Sequence, residues 1–295
     1  MIITAILSRQ RQSRSVLVLL VSAICSVISG SLYADDAKHS TSTFNQQWLD
    51  TVISIEASKG GKNPEPVGTG FLVQTARKHV LIVTAKHVVN DLLASKSSRL
   101  GYRLNVTDAR SIVVWDDELR AKGLGEWHLS STADVACRFV AWPSSARIVT
   151  IAADNFLKSE VLMAGAPILV LGFPLGLRST VHARAIARHG IIARADPDGI
   201  IAEVFMFPGN SGGPVVYSPS FKPGRGLSSQ LATEEKLVGI VSSFIPYQEP
   251  AISPYTKRVR IMFEENSGLA ELVHTDRVLE LIGSESVKKQ DAALP

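Results

Sequence analysis

The segment Phe207-Pro-Gly-Asn-Ser-Gly-Gly-Pro-Val-Val216 decides how this 295-residue chain is read. Ser211 stands at its centre as a candidate nucleophile. A serine hydroxyl is weak on its own and needs a base beside it and an anion site in front of it. Gly209 can take a backbone conformation closed to residues with a Cβ, which lets its N–H and that of Ser211 converge. Two such donors make an oxyanion hole, and losing one typically costs on the order of 10²–10³ in rate. Gly212 and Gly213 leave the far side of the serine clear for an approaching backbone. Pro214 ends the turn, and Val215-Val216-Tyr217 reads as a strand.

The run Gly209 to Gly213 also fits the nucleophile elbow of α/β-hydrolases, but an elbow serine is followed by a helix. Gly-Gly-Pro-Val-Val is a poor helix start. The elbow order also places acid and histidine after the serine, and only His274 follows Ser211. Upstream, His87 closes the β-branched run Leu81-Ile-Val-Thr-Ala-Lys-His87, and Asp134 precedes an apolar strand in Ser131-Thr-Ala-Asp-Val-Ala136. Asp134 is expected to accept from one histidine nitrogen, which leaves the other free to take the Ser211 proton. The order His, Asp, Ser with gaps of roughly fifty and eighty residues is that of one known triad arrangement. A histidine base must be neutral, so activity is expected to rise from acid toward neutral pH, around the ordinary value of roughly 6.5.

On these residues the sequence resembles the trypsin/chymotrypsin-like serine peptidases, and among them the bacterial HtrA-like branch with Gly-Asn-Ser-Gly-Gly-Pro around the nucleophile. Further matching segments are Gly68-Thr-Gly-Phe-Leu-Val73, Thr84-Ala-Lys-His87, Ala133-Asp-Val-Ala136, Leu171-Gly-Phe-Pro-Leu-Gly176, Val238-Gly-Ile-Val-Ser242 and Glu265-Asn-Ser-Gly-Leu-Ala270. The resemblance implies an all-β fold: two six-stranded antiparallel β-barrels (chymotrypsin-like) with a short C-terminal helix. It implies a serine endopeptidase without cofactor or metal, acting on polypeptide substrates through His87, Asp134 and Ser211, with the Gly209 and Ser211 N–H groups as oxyanion hole. The base of the primary pocket falls on Phe205 with Met206 beside it, and the walls on Ser242, Ser243, Phe244 and the strand Gly268 to Val273. Phe205 offers a substrate cation no partner, so cleavage after small or medium aliphatic residues is expected; Glu271 is the carboxylate that would change this. Asn210 stands where digestive relatives carry an activating Asp, so no proteolytic zymogen step is expected. The alternative is a catalytically silent peptide-binding domain of the same fold.

Residues 1–34 read as a signal peptide. Arg9, Arg11 and Arg14 form its basic region, Val16 to Ile28 its apolar region, and Leu32-Tyr-Ala34 its cleavage site. The expected location is periplasmic or secreted; an uncleaved segment would anchor the chain in a membrane. Of 31 basic and 27 acidic residues, three arginines leave with the signal, so the net charge falls from +4 to +1. The basic balance therefore gives no reason to expect nucleic acid. Cys25 leaves too, and Cys137 alternates with Val135 and Phe139 as a buried small hydrophobe. Seven histidines show no metal-ligand spacing. Arg178, Arg184, Arg188 and Arg194 read as a solvated strand face.

Short strands with regular turn signals place one barrel at 35–150 (His87, Asp134) and a second at 151–283 (Ser211). No stretch is expected to form a PDZ-like domain. Thr275-Asp276 should cap a closing helix Arg277 to Ile282. The polar residues 284–295 are expected to be a disordered tail, and the sequence leaves the oligomeric state open.

Overall fold

The β-branched runs fold as two antiparallel sheets in a computed structural model that describes residues 44–295 apart from 96, 108–109, 180, 197–198, 220, 224–228 and 232–233. The signal peptide expected at 1–34 lies outside the described residues. After a short helix α1 (Gln47–Asp50) come β1 (Val52–Lys59), β2 (Glu65–Gln74), β3 (Val80–Thr84), α2 (Lys86–Ala94), β4 (Ser98–Asn105), β5 (Ser111–Trp115), α3 (Asp116–Ala121), β6 (His128–Leu129) and β7 (Ala136–Val140). The strands lie in the order β5-β4-β1-β2-β3-β7-β6. The first sheet thus has seven strands, not the six expected. The extra one is the two-residue β6, which pairs with β7 and is too short to show as a periodic run.

The second half contributes β8 (Pro167–Gly172), β9 (Ile186–Asp196), β10 (Gly199–Glu203), β11 (Pro214–Tyr217), the ribbon β12 (Phe221–Pro223) and β13 (Ser229–Leu231), β14 (Lys236–Ile252) and β15 (Val259–His274). Six of these close a barrel in the order β10-β15-β14-β11-β8-β9. The barrel encloses Ile168, Val170, Ile192, Val204, Val215, Val241 and Leu272. A larger core joins the first sheet to the second half: Phe71, Val83 and Phe139 pack in one cluster with Leu171, Phe173, Val216 and Ile240. The residues read as candidate catalytic groups lie along this seam.

Two buried charges are answered here, one within the first half and one across the seam. Arg138, fully buried in β7, is neutralised by Asp116 at the start of α3 and donates to the Gly125 carbonyl at 3.1 Å. Glu56, fully buried in β1, accepts from Arg103 of β4 at 2.7 and 2.8 Å and from Arg178 of the second half at 3.2 Å. Arg178 is therefore not part of a solvated face. Its charge answers a carboxylate that would otherwise cost several kcal/mol to bury.

Helix α4 (Thr275–Ile282) follows β15 without a side-chain cap, because the Thr275 hydroxyl donates to the Leu157 carbonyl instead. Residues 284–295 are not a disordered tail: Glu285–Ala293 form a further helix, α5. Its polar composition hides the way it is held. Val287 is its one buried apolar anchor, and the rest is specific hydrogen bonding to the first sheet. His128 Nε2 lies 2.6 Å from Gln290 Oε1, Gln290 Nε2 donates to the Leu124 carbonyl at 2.6 Å, and His79 Nδ1 lies 2.7 Å from Asp291.

The Asp291 carboxylate, then the Pro295 carbonyl, raise the His79 pKa, against smaller opposition from burial and the Arg77 charge. A folded-state value above the unfolded one adds stability that is present below about pH 6.5 and is lost as pH rises through the folded value. Amides of Glu285–Ala293 should therefore exchange more slowly at pH 6 than above pH 8 after correction for intrinsic rates, and His79→Ala should abolish the difference. Equal protection in wild type at both pH values would contradict this account.

Candidate active site

His87 reaches the seam because β3 ends at Thr84 and the chain turns at once into α2. Ala85 is extended, so His87 is the second residue of the helix. Its backbone N–H is one of the first-turn donors that have no acceptor within the helix, and Asp134 Oδ1 accepts it at 3.0 Å. The other carboxylate oxygen, Oδ2, lies 2.7 Å from His87 Nδ1. Asp134 thus fixes both the backbone and the ring of the histidine. Its own loop is pinned by the Ser130 hydroxyl, which accepts from the Thr132 and Ala133 N–H groups at 3.3 and 3.1 Å. Lys86 adds a bond to the Ser130 carbonyl at 2.9 Å.

A third donor on Asp134 has a role that the sequence reading missed. The Ser242 hydroxyl donates to Oδ2 at 2.7 Å. Ser242 was expected only as a pocket wall. It is the extra residue of a β-bulge between Val241 and Ser243, a device that re-aims a side chain. Burial by itself would raise the Asp134 carboxyl, but the His87 ring, the Ser242 hydroxyl and the His87 N–H outweigh it and hold the pKa at about 2. Asp134 is therefore ionised throughout the neutral range. The side chain of His87 is 51% exposed, open to a substrate.

Ser211 arrives on the turn before β11. Its Oγ donates to the Ser242 carbonyl at 3.4 Å, so Ser242 touches both Ser211 and Asp134. The turn is held by three hydrogen bonds, two to Thr69 and one to Val241. Thr69 N donates to the Ser211 carbonyl at 2.9 Å, and Thr69 Oγ1 to the Gly209 carbonyl at 2.6 Å. Gly212 N reaches the Val241 carbonyl at 2.8 Å. Gly209 has φ +96° and Gly212 φ +80°. A Cβ on Gly209 would sit 2.3 Å from the Phe173 carbonyl, and one on Gly212 would sit 2.1 Å from Thr84 Oγ1. Glycine is required at both for conformation and for space.

Two anchored carbonyls orient the peptide groups that carry the Gly209 and Ser211 N–H. The Pro208 carbonyl accepts from Leu175 N at 2.7 Å, and the Asn210 carbonyl from Gly213 N at 2.9 Å. In a trans peptide the N–H points opposite to its carbonyl, so both donors are aimed away from these anchors. Asn210 itself is buried, and among the described residues its side-chain amide has no hydrogen-bond partner.

The residues expected to shape the substrate pocket are less closely grouped. Phe205 is 56% exposed and lines an open surface depression with Arg188, Ile191, Val204 and Leu269. Met206 is buried, and its carbonyl accepts from the Asn266 amide. Phe244 is half-buried against the barrel core. Ser243 is exposed and donates to Glu271 at 2.7 Å. Among the described residues no group of three or more acidic, His or Cys side chains could hold a metal ion, and no helix is long and apolar enough to cross a membrane.

A family model described as a trypsin-like peptidase domain matches residues 68–219. Among solved structures, the chain is similar to the HtrA-type protease AlgW with tripeptide. The identity is 16% and the TM-score 0.47, over 83% of this chain and 64% of that one, so the chain spans less than two thirds of AlgW's length. It is also similar to Deg5, at 17% identity and a TM-score of 0.48, over 79% of this chain and 87% of that one. The curated proteins contain no match.

Proposed function

We propose, from the premise that this chain belongs to the trypsin-like peptidase family and is a serine protease, that it cleaves polypeptides through a triad of Ser211, His87 and Asp134. The observation that carries this reading is Asp134, which joins the His87 ring to Ser242 while Ser242 also touches Ser211. Ser211 Oγ attacks the scissile carbonyl, and His87 takes its proton and returns it to the leaving amine. Asp134 stays charged and stabilises the imidazolium, and the Gly209 and Ser211 N–H groups hold the oxyanion. Hydrolysis of the acyl-enzyme frees Ser211. A fluorophosphonate probe should leave its adduct on the peptide containing Ser211, read by mass spectrometry. Absence of an adduct under conditions where the chain still binds unfolded polypeptide would identify a silent peptide-binding domain instead.

Specificity for small or medium aliphatic residues such as Ala, Val or Leu is part of the same proposal. It is supported by the apolar Phe205, Met206 and Phe244 and by the engagement of Glu271 with Ser243. Sequencing the products from an unfolded protein substrate should find cuts mainly after such residues; cuts mainly after Lys or Arg would implicate Glu271. An exported chain, periplasmic or secreted, is supported by the basic and apolar pattern of residues 1–34, and N-terminal sequencing of the exported protein reads the cleavage point directly.

A further inference from the structure

Strands β14 and β15 run far past the barrel. The barrel neighbours β11 and β10 pair with them only up to Ile240 and from Leu269. Beyond, Pro246–Ile252 and Val259–Asn266 pair with each other as a free-standing ribbon. Seven paired positions at about 3.3 Å each carry it on the order of 20 Å from the body. A two-stranded ribbon alone is marginally stable in water.

This one also exposes apolar side chains on both faces. Tyr247, Ile261 and Phe263 lie on one face and Ile252 and Met262 on the other, each at least half exposed, with Tyr255 at the tip 94% exposed. With Val259 these side chains present apolar area on the order of 700 Å² in all, divided between the two faces and the tip, so a single face supplies part of the roughly 800 Å² that each partner contributes to a standard interface.

Its charge is segregated along its length. Lys257, Arg258 and Arg260 cluster at the tip, and Glu249, Glu264 and Glu265 at the stem. Among the described residues none of these six has an ion-pair partner. Two such ribbons laid antiparallel about a two-fold axis set the basic tip of each against the acidic stem of the other. A two-fold interface requires this kind of self-complementarity. Pro246 and Pro250 recur with the period that places both on one edge of β14, where missing N–H groups oppose addition of another strand.

We propose that this ribbon is a dimerisation arm, by which two copies of the chain pack arm against arm in antiparallel fashion. Sedimentation of the purified chain over a concentration series is expected to show a monomer–dimer equilibrium that weakens with salt. Arg258→Glu with Arg260→Glu should raise the dissociation constant by about tenfold or more, since like charges then meet. Adding Glu264→Lys and Glu265→Lys to the same chain should restore the dimer. None of the four residues touches the candidate active site, so cleavage of a short peptide checks that each variant is folded. A chain that stays monomeric at high concentration, or an oligomer indifferent to these substitutions, overturns the proposal. Loss of unfolded-polypeptide binding with an unchanged oligomeric state also overturns it, and assigns the arm to substrate instead.

Discussion

Ser211→Ala is expected to lower kcat roughly 10⁶-fold and Asp134→Asn roughly 10⁴-fold, the scale of these losses in enzymes with a Ser-His-Asp triad. The second loss follows from a shortage of acceptors. Asp134 accepts three donors with two oxygens: the His87 N–H at 3.0 Å, the His87 ring at 2.7 Å and the Ser242 hydroxyl at 2.7 Å. Asparagine has one oxygen and an NH₂ group that only donates. If its oxygen keeps the His87 backbone N–H, the NH₂ faces Nδ1. The ring must then carry its proton on Nε2, the nitrogen needed as base. The wild-type carboxyl, at about 2, is charged at every pH between 4 and 9, and asparagine supplies no such charge at any of them. Steady-state kinetics on a peptide substrate, with circular dichroism to verify folding, provides the check. Retention of activity within about tenfold by Asp134→Asn would remove Asp134 from the mechanism.

Thr69→Val should lower kcat about 10²–10³-fold with KM changed little, as when an oxyanion donor is lost, while Thr69→Ser should stay close to wild type. The two variants separate the hydroxyl from the methyl group. Thr69 is fully buried, and its Oγ1 donates to the Gly209 carbonyl at 2.6 Å and accepts from Phe173 N at 3.1 Å. Valine fills the same volume but leaves both groups buried without this partner, at a cost of about 1–3 kcal/mol each. The turn can relieve that cost by rotating its peptides, which moves the Gly209 and Ser211 N–H groups off their aim. Equal effects of Val and Ser, or a loss confined to KM, would mean that Thr69 only fills space.

The residues proposed for the site could be picked out in the sequence because local chemistry marks each one. Glycines flank Ser211, a β-branched strand delivers His87, and a turn precedes an apolar strand at Asp134. What stayed hidden depends on distant partners. The role of Ser242 arises from a bulge, which has no signature in a serine-containing strand. Thr69 belongs to a run that fits any tight hairpin, and its importance comes from carbonyls 140 residues away. The ribbon of β14 and β15 was not expected, because Pro246 and Pro250 interrupt the strand pattern although a free edge tolerates them. Helix α5 lacks an apolar stripe, and is held by side-chain bonds that no composition rule detects.

Glu56 draws one arginine from the first sheet and one from the second half. Unfolding of the second half alone takes Arg178 away from the buried Glu56, and unfolding of the first sheet alone takes Glu56 away from Arg178. A species with one half melted is thereby raised in energy relative to both the native and the fully unfolded chain. The two sheets are thermodynamically coupled, and the chain should lose both in a single cooperative transition, with equal calorimetric and van't Hoff enthalpies.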